Sequence, residues 1–206
     1  MSYRVIAAVL TLVLGAPAVA ETIAVIGTGD VGGALGPEFA AQGHTIVYGS
    51  RDPQRGKVKE LVEKTGDLAS ATTPAEAAAQ ADIVVLAVPG LMVEEITKSL
   101  GDLSGKIIID PTNPLERRMN RLEHAVDTSN AEIIQAAAPG AYVVKAFNTL
   151  NWKTMVDPSS AGGPVSIPLV GDNGRAKKIV AELVAGMGLE PIDVGPLRDA
   201  RWVEGM

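Results

Sequence analysis

Cysteine is absent from all 206 residues. Its absence excludes disulfides, thiolate nucleophiles and cysteine metal sites together. It leaves the compartment open, because a chain without thiols is at home in any redox environment. Histidine is nearly absent too: His44 and His124 are the only two, too few and too far apart for a His-based metal cluster. Aromatic residues make up 3%, which argues against a base-stacking platform for single-stranded nucleic acid. A net charge of −6 lacks the basic face that a phosphate backbone demands. Long hydrophobic runs are missing as well. The clearest, the ten residues "VIAAVLTLVL", is too short to span a bilayer as a helix. The sequence therefore predicts no nucleic-acid partner and no stable membrane span.

That apolar run belongs to a distinctive start. "MSYR" carries a positive charge, the run follows, and "GAPAVA" ends in Ala18-Val19-Ala20. This is the order of a secretory signal with a small-x-small cleavage site. Residues 1–20 are expected to be a signal peptide, which makes the protein periplasmic or secreted. The alternative is an extra strand or helix on a cytoplasmic protein. Residues 21–206 then form one domain, long enough for a single sizeable core.

Hydrophobic residues reach 47%, with Ala, Val, Ile and Gly plentiful, as suits buried parallel strands covered by helices. Short apolar runs alternate with helical stretches. Strands are expected at "TIAVIG", "HTIVYGS", weakly at "DLASAT", then at "DIVVLAVP", "KIIIDPTNP", "AYVVKAFNTL", "SIPLVGD" and "LEPIDVG". Helices fall between them, and "VDPSSAGGPVS" reads as a loop rich in Gly, Pro and Ser. Such alternation means right-handed crossovers. The expected fold class is α/β: a Rossmann-like, doubly wound, mostly parallel sheet in a single domain.

The chemistry begins at "GTGDVG", which sets Gly27, Gly29 and Gly32 in G-x-G-x-x-G order behind an apolar strand and ahead of a helix. That context marks a dinucleotide-binding turn, with pyrophosphate on the first helical N–H groups. Asp30 should face away from the phosphates, with helix capping its plainer role. Such a turn is usually answered about 20 residues later by an acidic residue on the ribose of NAD. Here the second strand ends in Ser50 and Arg51 instead. A guanidinium forms charge-assisted bonds with a 2′-phosphate that a carboxylate would repel. Arg55 lies one helical turn further on. The cofactor is therefore expected to be NADP(H).

Val88 and Pro89 end the fourth strand across the switch point, where they either wall the nicotinamide or simply terminate the strand. "DPTNP" and "KAFNTL" bring Asp110, Thr112, Asn113, Lys145, Asn148 and Thr149 to the same edge; satisfying loop backbone is the plainer role of each. Lys145 could neutralise an acceptor that gains negative charge, or make a surface salt bridge. No acid–base pair stands out, and hydride transfer needs none.

With "IAVIGTGDVGGALG", "YGSRDP", "DIVVLAVP", "IIIDPTNP", "VVKAFNTL" and "DVGPLRDAR", the chain resembles the NADP oxidoreductases dependent on coenzyme F-420, the deazaflavin, and the related NADPH domain of Steap-type metalloreductases. The resemblance implies NADP contacts by Thr28, Gly29, Asp30 and Val31, by Ser50, Arg51, Arg55 and Val88, and a nicotinamide-side contact near Ala146. It also implies a small-molecule acceptor, with deazaflavin or flavin as second substrate, and allows a homodimer. The competing expectation is an NADP-binding subunit or sensor without turnover of its own, serving an electron-transfer partner.

Overall fold

The computed structural model describes residues 20–118, 121–124 and 126–205. The expected export segment lies outside the described residues apart from Ala20. The chain opens with β1 (Thr22–Ile26), α1 (Asp30–Ala41), β2 (Thr45–Gly49), α2 (Gly56–Thr65) and β3 (Ala69–Thr72). It continues through α3 (Pro74–Gln80), β4 (Ile83–Leu86), a 3-10 turn (Gly90–Met92), α4 (Val93–Ser99) and β5 (Ile107–Asp110). A small hairpin follows, β6 (Leu115–Arg118) and β7 (Arg121–His124), then α5 (Asn130–Ala137) and β8 (Tyr142–Lys145). The remaining elements are α6 (Trp152–Val156), a 3-10 turn (Pro158–Ala161), β9 (Ser166–Val170), α7 (Gly174–Gly186), β10 (Glu190–Gly195), a 3-10 turn (Leu197–Asp199) and α8 (Ala200–Val203).

Eight strands form one sheet in the order β10-β9-β8-β5-β4-β1-β2-β3. Its central part is the doubly wound arrangement, with parallel strands whose order of addition reverses between β1 and β4. Strand pleating sends alternate residues to opposite faces. Ile23 and Val25 join Leu35, Phe39, Val180 and Leu183 in one core, beneath α1 and α7. Ala24 and Ile26 join Ala77, Val93, Ala131 and Ile134 in the other, beneath α3, α4 and α5. Residues apolar on both faces make near-continuous hydrophobic runs, which is why "IAVI" and "IVVL" read as buried strands.

Two features depart from the sequence expectation. Strand β9 runs antiparallel to β8, joined by the single register pair Lys145↔Val170. Between them lie only α6 and a 3-10 turn rather than a full crossover helix, so the chain reverses at the carboxyl edge and β9 re-enters from that side. The β6–β7 hairpin is antiparallel and was not expected, since "LERR" and "RLEH" offer no apolar run. Among the described residues, no helix is long and apolar enough to cross a membrane, and no cluster of metal-ligating side chains occurs.

Candidate cofactor-binding site

A crevice of about 270 Å³ opens at the carboxyl edge, at the β1/β4 reversal. The turn after β1 supplies Gly29, Asp30 and Val31; the end of β4 supplies Ala87, Val88 and Pro89; the end of β5 supplies Pro111 and Thr112. Gly27 has φ of +100°, and a Cβ there would lie 2.2 Å from the Ala87 carbonyl oxygen. A Cβ on Gly32 would lie 2.0 Å from the Gly27 oxygen. Glycine alone fits both places, which holds β1, β4 and the start of α1 in close packing. Gly29 is different: a Cβ would meet nothing within 4 Å. Its open side faces the space a ligand would need.

Gly29 is the N-cap of α1 and no side chain caps the helix. The expected capping role of Asp30 is therefore not realised. Asp30 sits in the first turn, exposed, on the crevice wall. Early N–H groups of a helix lack intrahelical partners, and here the residues of that first turn, Gly29, Asp30 and Val31, line the crevice at the positive end of the helix dipole. Those features fit the phosphates of a dinucleotide.

Ser50 and Arg51 follow directly on β2, whose last residue Gly49 pairs with Ile26 of β1. Ser50 is half-buried and its Oγ accepts from the Asp52 N–H at 3.2 Å, so its hydroxyl proton is left to donate. Arg51 and Arg55 are exposed. Among the described residues, neither is paired with a carboxylate. Arg55 is the N-cap of α2, without a side-chain capping bond.

The other strand ends behave differently from expectation. Lys145 is fully buried and is neither a surface ion pair nor a free cation. Its ammonium meets Asp110 Oδ2 at 2.8 Å and Glu204 Oε1 at 2.7 Å, and donates to the Thr112 carbonyl. Three donors meet three acceptors, which leaves none for an acceptor molecule. Asp110 uses its other oxygen to accept from the Thr112 N–H and hydroxyl, at 2.9 and 2.7 Å. Burial pushes the Glu204 carboxyl above its usual range, opposed by Lys145 and by the Asn130 N–H.

Asn113 and Asn148 clasp one another: Asn113 Nδ2 donates to the Asn148 carbonyl, and Asn148 Nδ2 to Asn113 Oδ1, both at 2.9 Å. Their side chains tie β5 to β8 and, through the Val203 carbonyl at 3.0 Å, to α8. Ala146 is fully buried in the hydrophobic core with Val144 and Phe147. Its side chain is not among those that line the crevice. Thr149 is half-buried and likewise outside the crevice. Residues that sequence reasoning missed are Asn130 and Glu204. Both are polar and buried, a state that only the fold reveals.

Two other hollows lie away from the switch point. One, at the amino edge of the strands, is lined by Glu21, Asp82 and Arg175; burial, then the neighbouring Asp82 carboxylate, raises the Glu21 pKa. The other lies between the ends of α4 and α5, beside Thr97 and Gly140.

Residues 22–114 match the family described as NADP oxidoreductase, coenzyme F420-dependent. The F420-dependent NADP reductase of Methanothermobacter marburgensis is 30% identical, over 88% of this chain and 87% of that protein. This chain belongs to that family. The metalloreductase STEAP3 of Rattus norvegicus is 32% identical over 92% of this chain. There the chain spans only 37% of the relative's length. Among solved structures, a candidate F420-dependent NADP reductase from Arthrobacter sp. FB24 superimposes with a TM-score of 0.83 at 34% identity, covering 90% of each chain. A reductive aminase from Aspergillus terreus reaches 0.66 at 20% identity, a likeness of fold alone.

Proposed function

We propose that the protein is an NADPH-dependent reductase passing hydride to a planar, flavin-like or deazaflavin acceptor. The observation that carries the reading is the pairing of an uncapped α1 N-terminus at the switch-point crevice with Ser50 and Arg51 at the end of β2. In this reading the turn from Gly27 to Gly32 receives the pyrophosphate, and Ser50, Arg51 and Arg55 receive the 2′-phosphate. Val88 and Pro89 wall the nicotinamide half, and Asn113 supports that wall from behind. When bound, the cofactor supplies the hydride; the chain's own task is to hold two ring faces together and exclude water. Names of the Methanothermobacter and Arthrobacter relatives support the acceptor class.

Purified protein, NADPH and a panel of flavin-like and deazaflavin acceptors test the reading. Stereospecifically deuterated NADPH should deliver its label directly to the acceptor. Tight NADPH binding without turnover on any acceptor would favour a second reading, an NADP-binding subunit serving an electron-transfer partner. That alternative draws on the metalloreductase relatives, of which this chain spans about a third. The proposal also includes export: N-terminal sequencing of protein from the producing cell should begin at Glu21, and an intact Met1 or Ser2 would overturn it.

A further inference from the structure

Asn130 opens α5 and is 1% exposed, yet its carboxamide reaches both walls of the crevice. Its Nδ2 donates to the Gly90 carbonyl at 3.0 Å, next to Pro89 on one wall. The same nitrogen donates to Thr112 Oγ1 at 2.7 Å, in the opposite wall. The orientation of the amide is dictated by its partners. A carbonyl can only accept, and the Thr112 hydroxyl has already given its proton to Asp110 Oδ1, so both sites demand an N–H donor. Behind the crevice the walls meet without slack: a Cβ on Gly90 would lie 1.9 Å from the Asn113 carbonyl oxygen. Asn130 is held in turn by Glu204, whose Oε2 accepts the Asn130 N–H at 2.9 Å and whose Oε1 accepts the Ala131 N–H at 3.3 Å.

We propose that Asn130 is a positioning residue for the cofactor: by tying Gly90 to Thr112 it sets the separation of the crevice walls at the nicotinamide end, with Glu204 fixing its register. This rests on reading the crevice as the NADP site. The adenosine half is assigned to a different strand end, at Ser50 and Arg51, so loosening the walls should weaken one half of the cofactor's grip and spare the other. A wall separation fixed before binding removes an ordering cost from binding itself.

Calorimetry on the full chain tests this with two ligands, NADP+ and the fragment 2′,5′-ADP. In Asn130→Asp a carboxylate faces two acceptors that need donors; Asn130→Ala removes the tie without that repulsion. For both, NADP+ affinity is expected to fall about tenfold, the worth of one to two buried hydrogen bonds. Affinity for 2′,5′-ADP should stay within about twofold of wild type, a difference near the resolution of such measurements. Glu204→Gln keeps an acceptor for the Asn130 N–H and should fall between wild type and Asn130→Ala. Equal losses for both ligands, or unchanged NADP+ affinity in a folded variant, would overturn the proposal alone. Failure of the wild type to bind NADP+ would remove the cofactor reading and the proposal with it. Should circular dichroism find both Asn130 variants unfolded, Thr112→Val removes one acceptor without touching α5. The same selective loss is then expected, and its absence refutes the tie.

Discussion

Replacing Lys145 by Met removes one cation from between two buried carboxylates while keeping much of the side chain's length and volume. The side chains of Lys145, Asp110 and Glu204 are all 0% exposed, so water cannot substitute for the lost ammonium. Breaking a buried pair by deleting one partner typically costs about 3–5 kcal/mol, because the remaining charge is stranded. An exposed pair would cost only about 0–1 kcal/mol, so the measurement separates the two environments cleanly. With a urea slope of about 2 kcal/mol per molar, the unfolding midpoint should drop by roughly 1.5–2.5 M. The companion variant Glu204→Gln should cost far less, since it leaves Lys145 paired one-to-one with Asp110. The double variant should be more stable than Lys145→Met alone, because it removes one of the two stranded carboxylates. Sign matters for pH. Glu204 has a pKa raised above 4.5 by burial, so its protonated form favours the folded state, and that contribution is lost as pH rises through the folded value. Glu204→Gln should flatten this part of the pH profile. A Lys145→Met midpoint within 0.3 M of wild type, on the order of 0.6 kcal/mol at that slope, would refute the account of the triad.

Arg51→Ala should weaken NADPH by about 1.5–3 kcal/mol, the worth of a charge-assisted contact, or roughly 10- to 150-fold, and leave NADH affinity unchanged in the same calorimetric series. Gly27→Ala forces a side chain onto the Ala87 carbonyl at positive φ and should destabilise the fold by about 2 kcal/mol or more, read from thermal or urea unfolding. Glu132, whose pKa is pulled down to about 2 first by the Arg201 hydrogen bonds, against desolvation, contributes stability present above pH 4.5 and lost as pH falls toward 2. The stability gap between wild type and Glu132→Gln in urea should therefore be smaller at pH 3 than at pH 7.

Much of this architecture could be read from local pattern. "IAVIGTG" and "DIVVLAVP" announced buried strands because both faces of β1 and β4 are covered, and the glycine spacing reported packing that only glycine permits. Even the weak "ASAT" formed β3, at the sheet edge where a small-residue strand suffices. The direction of β9 was not legible, because a strand's residues encode which faces are buried but not which way the chain enters. The β6–β7 hairpin escaped because neither strand carries an apolar alternation to betray it. The placement of the polar residues was the hardest part. Lys145 and Glu204 look in sequence like ordinary surface charges, and their burial follows only from the return of α8 to the carboxyl edge. Ala146 shows the same limit from the apolar side: its place at a strand end is legible in the sequence, but the burial of its side chain in the core follows only from packing.

The tie between α8 and α5 also bears on how the protein is made. Asn130 and Glu204 are 74 residues apart, so during synthesis the helix, the strands β1 to β8 and both crevice walls emerge well before the carboxylate that caps α5. Closing so long a loop carries an entropic cost that shorter contacts avoid, and domains assemble progressively as the chain leaves the ribosome. Until Glu204 arrives, Lys145 has Asp110 as its only carboxylate partner in this triad, and the first N–H groups of α5 lack their cap. The sheet can thus form before the crevice becomes rigid. The crevice walls take their fixed separation later than the sheet that carries them, once the segment bearing Glu204 has docked on α5.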